Sequence, residues 1–172
     1  MNKTAIVIFQ SKTGYTQKYA EWIAEELSCG LVALNGMTSE ALEPYQMIIY
    51  GGGLRAGQIS GLKKLKKLLS AKGNRKLIFF CTGLTNGTPE YLSEIKKANF
   101  TPAEQETAEL FYFPGGFDYR KLNGSEKLLM KLMKKTLSKE KDGSQSPFAD
   151  LGKETNLANR ELLEPLLQKL RQ

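Results

Sequence analysis

Five short, largely apolar runs alternate along this chain with stretches in which apolar residues recur every three or four positions. Residues 4–9 are the first run: Ala5, Ile6, Val7, Ile8 and Phe9 follow one another without a polar break, as in a strand buried on both faces. Residues 31–34, 47–50, 77–81 and 108–113 are the other four. Between the first two runs, Ala20, Ile23, Ala24 and Leu27 fall on one face of a helix, and Gly30 is expected to stop it. After the third run, Leu62, Leu65, Leu68 and Leu69 form a second stripe with lysines on the remaining surface, and residues 89–98 read as a third helix. Strands alternating with helices predict an α/β fold, a doubly wound five-stranded parallel sheet with helices on both faces. One such domain accounts for residues 1–172.

The last third is less regular. Leu129, Leu132, Met133 and Leu137 predict a basic amphipathic helix, and residues 142–158 are rich in turn formers. Leu163, Leu166, Leu167 and Leu170 mark a final helix, and Pro165 means that it starts near Glu164 or is kinked there. Two helices thus follow the fifth strand where the minimal fold needs one. Residues 117–158 therefore read as an insertion before the last helix.

Composition narrows the chemistry. The chain has no histidine, which removes imidazole bases, histidine-dependent nucleophiles and histidine-ligated metals. Its two cysteines, Cys29 and Cys81, form no CxxC pair, so a structural zinc site is excluded as well. They are too few to staple a chain of this size, and the expected compartment is the reducing cytoplasm. No run approaches the roughly 20 apolar residues of a membrane span, and residues 1–9 lack the order of a signal peptide. Redox or transfer chemistry must then come from a bound cofactor.

The net charge of +7 is concentrated in two places. Residues 62–76 hold seven bases and no acid, and residues 120–141 hold eight bases against Glu126 and Glu140. The rest of the chain is net acidic. Solvated lysine faces are one explanation; peripheral contact of 120–141 with an anionic membrane, at its inner face, is another. Neither basic segment has interleaved aromatics, which argues against nucleic acid.

Ligands of open α/β sheets sit at the carboxyl ends of the strands, beside the point where strand order reverses. Three loops qualify. The first, Ser11, Lys12, Thr13, Gly14, Tyr15 and Thr16, combines three hydroxyls, one glycine and a helix start, which is the chemistry a phosphate needs. A hydroxyl-capped turn with no ligand would look the same, and no Gly-Lys-Ser/Thr of a Walker loop is present. The second, Gly51, Gly52, Gly53, Leu54, Arg55, Ala56 and Gly57, is expected to wrap one edge of a planar ring, glycine permitting close approach. The third, Thr82, Gly83, Leu84, Thr85 and Asn86, is expected to meet the other edge.

The pattern Ser11-x-Thr13-Gly14-x-Thr16 after the first strand resembles the FMN-phosphate loop of flavodoxins. Residues 50–55, residues 113–119 and residues 128–134 are similar to one flavodoxin branch, the quinone-dependent protoporphyrinogen dehydrogenases and their relatives. The resemblance implies FMN as cofactor, its phosphate at residues 11–16 and its isoalloxazine bordered by 51–57 and 82–86. It also implies a redox partner protein or a quinone as electron partner, and leaves open whether the chain is an enzyme, with porphyrinogen oxidation as the alternative. Two features depart from electron-carrying flavodoxins. The ring-bordering loops carry Leu54 and Leu84 where Trp or Tyr would stand, and the chain is basic. A cation at Arg55 beside the flavin is expected to raise its potential.

Rival readings fit less well. Gly51-x-Gly53-x-x-Ala56 matches a dinucleotide fingerprint as text, but about 20 residues on stand Arg75 and Lys76 rather than an acid. A phospho-receiver domain would need acids near Gln10 and at the end of the third strand; Tyr50 and Gly51 supply none. A cofactor-free interaction domain using its basic helices is the alternative from another class.

Overall fold

The computed structural model describes residues 2–69, 75–84, 87–117, 124, 125, 127, 128, 131 and 155–171. In chain order the elements are β1 (Asn2–Gln10), α1 (Tyr15–Leu27), β2 (Cys29–Ala33), β3 (Met47–Arg55), β4 (Gln58–Ile59) and α2 (Leu62–Leu69). They continue with β5 (Lys76–Gly83), α3 (Pro89–Asn99), α4 (Pro102–Thr107), β6 (Glu109–Pro114), β7 (Gly116–Phe117), β8 (Thr155–Asn156) and α5 (Glu164–Arg171). The main sheet runs β2-β1-β3-β5-β6, every neighbour pair parallel, with β4 folded back antiparallel on β3. This is the flavodoxin-like strand order, and the apolar runs are its strands.

Alternate residues on each strand feed two cores. Ala5, Val7, Ile49, Ile78, Phe80 and Phe113 pack under Tyr19, Ala20 and Ile23 of α1 and Leu166 and Leu167 of α5. Ile6, Ile8, Ile48, Tyr50, Phe79 and Cys81 pack on the other face under Leu62 and Leu65 of α2 and Ile95 of α3. The split follows from handedness. A right-handed crossover from β1 back to β2 puts α1 on one face; crossovers that advance from β3 to β5 and on to β6 put α2 and α3 on the other.

Several local readings need correction. The residue that ends α1 is Ser28, left-handed at φ 47°, whose N–H donates to the Ala24 and Glu25 carbonyls. Gly30 lies inside β2, paired with Ile6, because pairing with β1 resumes almost at once. β3 also runs on to Arg55, through residues read as loop. Gly51 and Gly52 are there for space. A Cβ on Gly51 would enter the Phe80 ring, and one on Gly52 would lie 2.5 Å from the Ser60 carbonyl oxygen. Helix α4 was not expected. Its capping box joins Thr101 and Glu104, yet it buries no residue, so it leaves no apolar stripe to read.

The final helix begins at Glu164, after a 3-10 turn (Arg160–Leu163) capped by the Asn159 side chain. Arg160 ties that turn to α1 through Glu25 at 2.9 Å and Glu26 at 2.7 Å. The expected stripe of Leu129, Leu132, Met133 and Leu137 lies outside the described residues. The strands β7 and β8 pair antiparallel, so the 117–158 segment departs and returns at the end of β6.

The tight approach at Gly51 sets a stability test. Gly51→Ala is expected to cost about 1–3 kcal/mol, read as a lower midpoint in urea unfolding, because neither the ring nor the sheet has room. Gly30→Ala, whose Cβ would meet only Ile6 Cγ1 at 3.8 Å, is the control, with a change within about 0.5 kcal/mol.

Candidate functional site

The strand order reverses between β1 and β3, and a cavity of about 290 Å³ opens at the carboxyl ends of β1, β3, β5 and β6. That lies at the lower end of the roughly 300–1,000 Å³ typical of ligand clefts. It is lined by Gln10, Ser11, Lys12, Thr13, Tyr15 and Thr16 from the first loop and helix start. Gly53, Leu54, Arg55 and Ser60 come from the β3–β4 hairpin, Thr82, Gly83 and Leu84 from the end of β5, and Gly115 and Gly116 from the end of β6.

The first loop turns on Gly14, left-handed at φ 94°, whose N–H donates to Ser11 Oγ at 3.0 Å. No side chain caps α1, and its first turn holds no acid. The first-turn amides of a helix have no intrahelical acceptor, and the helix dipole adds partial positive charge there. Gly14 itself shapes the turn without lining the cavity.

Thr16 and Thr82 are buried and face each other, their hydroxyl oxygens 2.7 Å apart. One proton bridges the pair; the second hydroxyl proton is left to donate. The hydroxyls of Ser11, Thr13, Thr16 and Thr82 thus line the same cavity as the start of α1, together with the apolar Leu54 and Leu84. Among the described residues no acid lines it, and the cations that do are Lys12 and Arg55. The donor set suits a phosphate monoester, and the glycines and leucines leave a wall that a flat ring can approach.

Of the second predicted loop, Gly53, Leu54 and Arg55 reach the cavity. Gly51 and Gly52 stay inside the sheet, and Ala56 and Gly57 form the hairpin turn with φ of 47° and 74°. Two consecutive positive φ values are those of a type I′ turn, which suits the right-handed twist of a two-residue hairpin. Thr85 and Asn86 lie outside the described residues.

Sequence reasoning passed over Ser60, Gly115 and Gly116 and left Gln10 out of the site. The glycine pair directly after β6 was a usable signal, since the same logic had selected the ends of β3 and β5. Ser60 had none, because only the reversal at β4 returns it to the cavity. The Gly115 N–H donates to the Gly83 carbonyl at 2.7 Å, joining two of these strand ends. Tyr19, fully buried, donates to the Pro114 carbonyl at 2.7 Å and accepts the Asn159 N–H at 3.2 Å. It thereby anchors the β6 end and the returning chain to α1.

Both thiols are buried. Burial pushes Cys81 up to about 12 and raises Cys29 as well, so neither supplies a thiolate near neutral pH. No cluster of metal-ligating side chains occurs among the described residues.

A family model described as "Flavodoxin domain" matches residues 6–144. Curated proteins give no match. Among solved structures, an oxidised flavodoxin 2 from Bacillus cereus aligns at 20% identity and a TM-score of 0.49, over 64% of this chain and 84% of that one. A flavodoxin from the domain Archaea aligns at 16% identity and a TM-score of 0.45, over 77% and 98%. A flavodoxin, WrbA-like protein from Agrobacterium tumefaciens aligns at 22% and 0.43, over 61% and 74%. The family match spans most of the chain, including the strands and the α1 start that build the cavity: this protein belongs to the flavodoxin domain family.

Proposed function

We propose that the cavity binds FMN without a covalent bond, and that the protein passes electrons between redox partners through it. The observation that carries this reading is the uncapped, acid-free start of α1 opening onto a hydroxyl-lined cavity with leucines at Leu54 and Leu84. Family membership supports a flavin and a redox role in general. Bound there, the flavin would supply one- and two-electron chemistry that no side chain of this protein offers.

The chain's own residues have separate tasks. Amides of the loop and helix start at residues 11–13, 15 and 16, with the Ser11 and Thr13 hydroxyls, hold the phosphate, Lys12 adds charge, and Gly14 shapes the turn through its bond to Ser11. Thr16 and Thr82 lock the phosphate loop to the end of β5 through their hydroxyl pair. Gly53, Leu54 and Arg55 border one edge of the ring; Thr82, Gly83 and Leu84 border the other. The narrower expectation of a protoporphyrinogen dehydrogenase rests partly on residues 118, 119, 129, 130 and 132–134, which lie outside the described residues, and gains no support from the family match.

A second reading concerns location. Leu128 is 59% exposed and Lys131 is exposed as well, an apolar and a basic residue both open to solvent, which favours peripheral contact with an anionic membrane. No helix among the described residues is long and apolar enough to cross a membrane. Lysines near an anionic leaflet contribute about 1 kcal/mol each.

Three outcomes are expected. Thr13→Ala combined with Thr16→Ala removes one hydroxyl worth about 1.5–3 kcal/mol toward a charged acceptor and another that locks the phosphate loop to β5. FMN affinity by fluorescence titration should fall at least about tenfold; an unchanged dissociation constant in a folded variant would refute the phosphate site. Arg55→Ala withdraws a cation from the ring edge, so the midpoint potential in spectroelectrochemistry should fall, since negative charge gained on reduction loses its partner. A potential that holds or rises contradicts the role given to Arg55. Finally, the protein should sediment with phosphatidylglycerol vesicles at low salt, less so at high salt, and less again when Lys131, Lys134 and Lys135 are changed to Glu. Protein that stays in the supernatant at low salt rules the contact out.

A further inference from the structure

The hairpin that carries Leu54, Arg55 and Ser60 to the cavity has two antiparallel pairs, Leu54 with Ile59 and Arg55 with Gln58. A ribbon of that size does not keep its shape in water without outside support. Within the sheet it is held from below, where Tyr50 donates to the Ser60 carbonyl at 2.6 Å and the Ser60 N–H donates to the Gly53 carbonyl at 3.0 Å. Its far side meets the end of α3, where the Asn99 and Gln58 side chains bridge the two.

Asn99 is the last residue of α3. Its Nδ2 donates to the Gly57 carbonyl in the hairpin turn at 2.7 Å and to the Ile95 carbonyl, one helical turn back, at 2.8 Å. Its Oδ1 accepts the Ile59 N–H at 2.8 Å. Both amide hydrogens and the oxygen are therefore committed. Turning the amide over would set its oxygen against two carbonyls and its NH2 against an N–H, so these partners allow one orientation only. Asn99 is itself held. Lys66 Nζ donates to the Asn99 carbonyl at 2.8 Å and to Glu104 Oε2 at 2.6 Å, and Gln58 Nε2 donates to the Ala98 carbonyl at 3.3 Å.

We propose that Asn99 is a positioning residue that sets the tilt of the β3–β4 hairpin, and with it the place of Leu54 and Arg55 on the cavity wall. Helix α3 supplies no lining residue, yet through this side chain it governs one edge of the site. The electrochemical consequence rests on the FMN reading above; the mechanical one does not. Aspartate at this position would keep the acceptor for Ile59, lose both donors and face two carbonyls, so the amide is what the geometry requires.

The test has two arms. In the ligand-free protein, amide hydrogen exchange at Ile59 is followed by NMR in the wild type, Asn99→Ala and Leu166→Ala, the last a destabilising change buried on the opposite face. Ile59 should exchange roughly tenfold faster in Asn99→Ala than in Leu166→Ala, as expected for local loss of a hydrogen bond. Equal rates overturn the proposal whether or not FMN binds. In the FMN-loaded protein, Asn99→Ala should lower the potential in the same direction as Arg55→Ala. The double variant should lie no lower than Arg55→Ala alone, because both changes act through one guanidinium. A wild-type potential in Asn99→Ala, or fully additive shifts, overturns the positioning role. A wild type that takes up no FMN refutes the cofactor reading instead, and the exchange comparison still decides the clamp.

Discussion

A parallel sheet buried on both faces is the constraint from which the rest of this molecule follows. Parallel strands cannot be joined by tight turns, so each connection must cross over, and right-handed crossovers decide which face each helix covers. With β1 and β3 adjacent but wound in opposite directions, the α1 connection and the α2 connection leave to opposite faces. The carboxyl ends of the strands between them are covered by neither helix. The cavity is that uncovered place. It needs no dedicated pocket-forming element, only the reversal.

What the cavity attracts is decided by small terms that agree in sign. The start of α1 has no side-chain cap and brings partial positive charge, its first turn has no acid, and among the described residues the lining contributes Lys12 and Arg55 with no carboxylate. In a recess partly shielded from water these contributions are screened less than on an open surface. The buried hydroxyl pair of Thr16 and Thr82 connects the anion end to the β5 strand end, and the Gly115–Gly83 bond connects β5 to β6. Adjacent strand ends are thereby cross-linked through the site that they line. Two additions to the minimal fold, the β3–β4 hairpin and the segment returning at β8, both meet the rim of the same cavity. Polar side chains help hold both, Asn99 among those at the first and Tyr19 among those at the second.

The strands, the helices on both faces and the start of the last helix were legible because burial on two sides imposes continuous apolar runs, while burial on one side imposes a helical stripe. The phosphate-loop candidate was legible for the same local reason: hydroxyls, a glycine and a helix start within six residues. Helix α4 was not, because a helix that buries nothing leaves only its capping box as a signal. Gly51, Gly52 and Gly53 show the limit most clearly. Their positions were marked as special, and the structure adds a packing reason for the first two that the sequence does not show: they make room for the Phe80 ring and the Ser60 turn.

The sequence by itself therefore determined the alternation of elements, the two-sided burial, the absence of side-chain redox or metal chemistry based on histidine, and the glycine-marked strand ends. Each depends on residue identity and on neighbours within a few positions. Only the tertiary structure decided which strand ends meet, that Ser60 returns to the cavity, that Thr16 pairs with Thr82 across 66 residues, and that Asn99 grips a turn 42 residues away. Those pairings depend on strand order and on the angle of one hairpin. No local pattern encodes such quantities, because the same hydroxyls and amides would be satisfied equally well by water until the sheet brings them together.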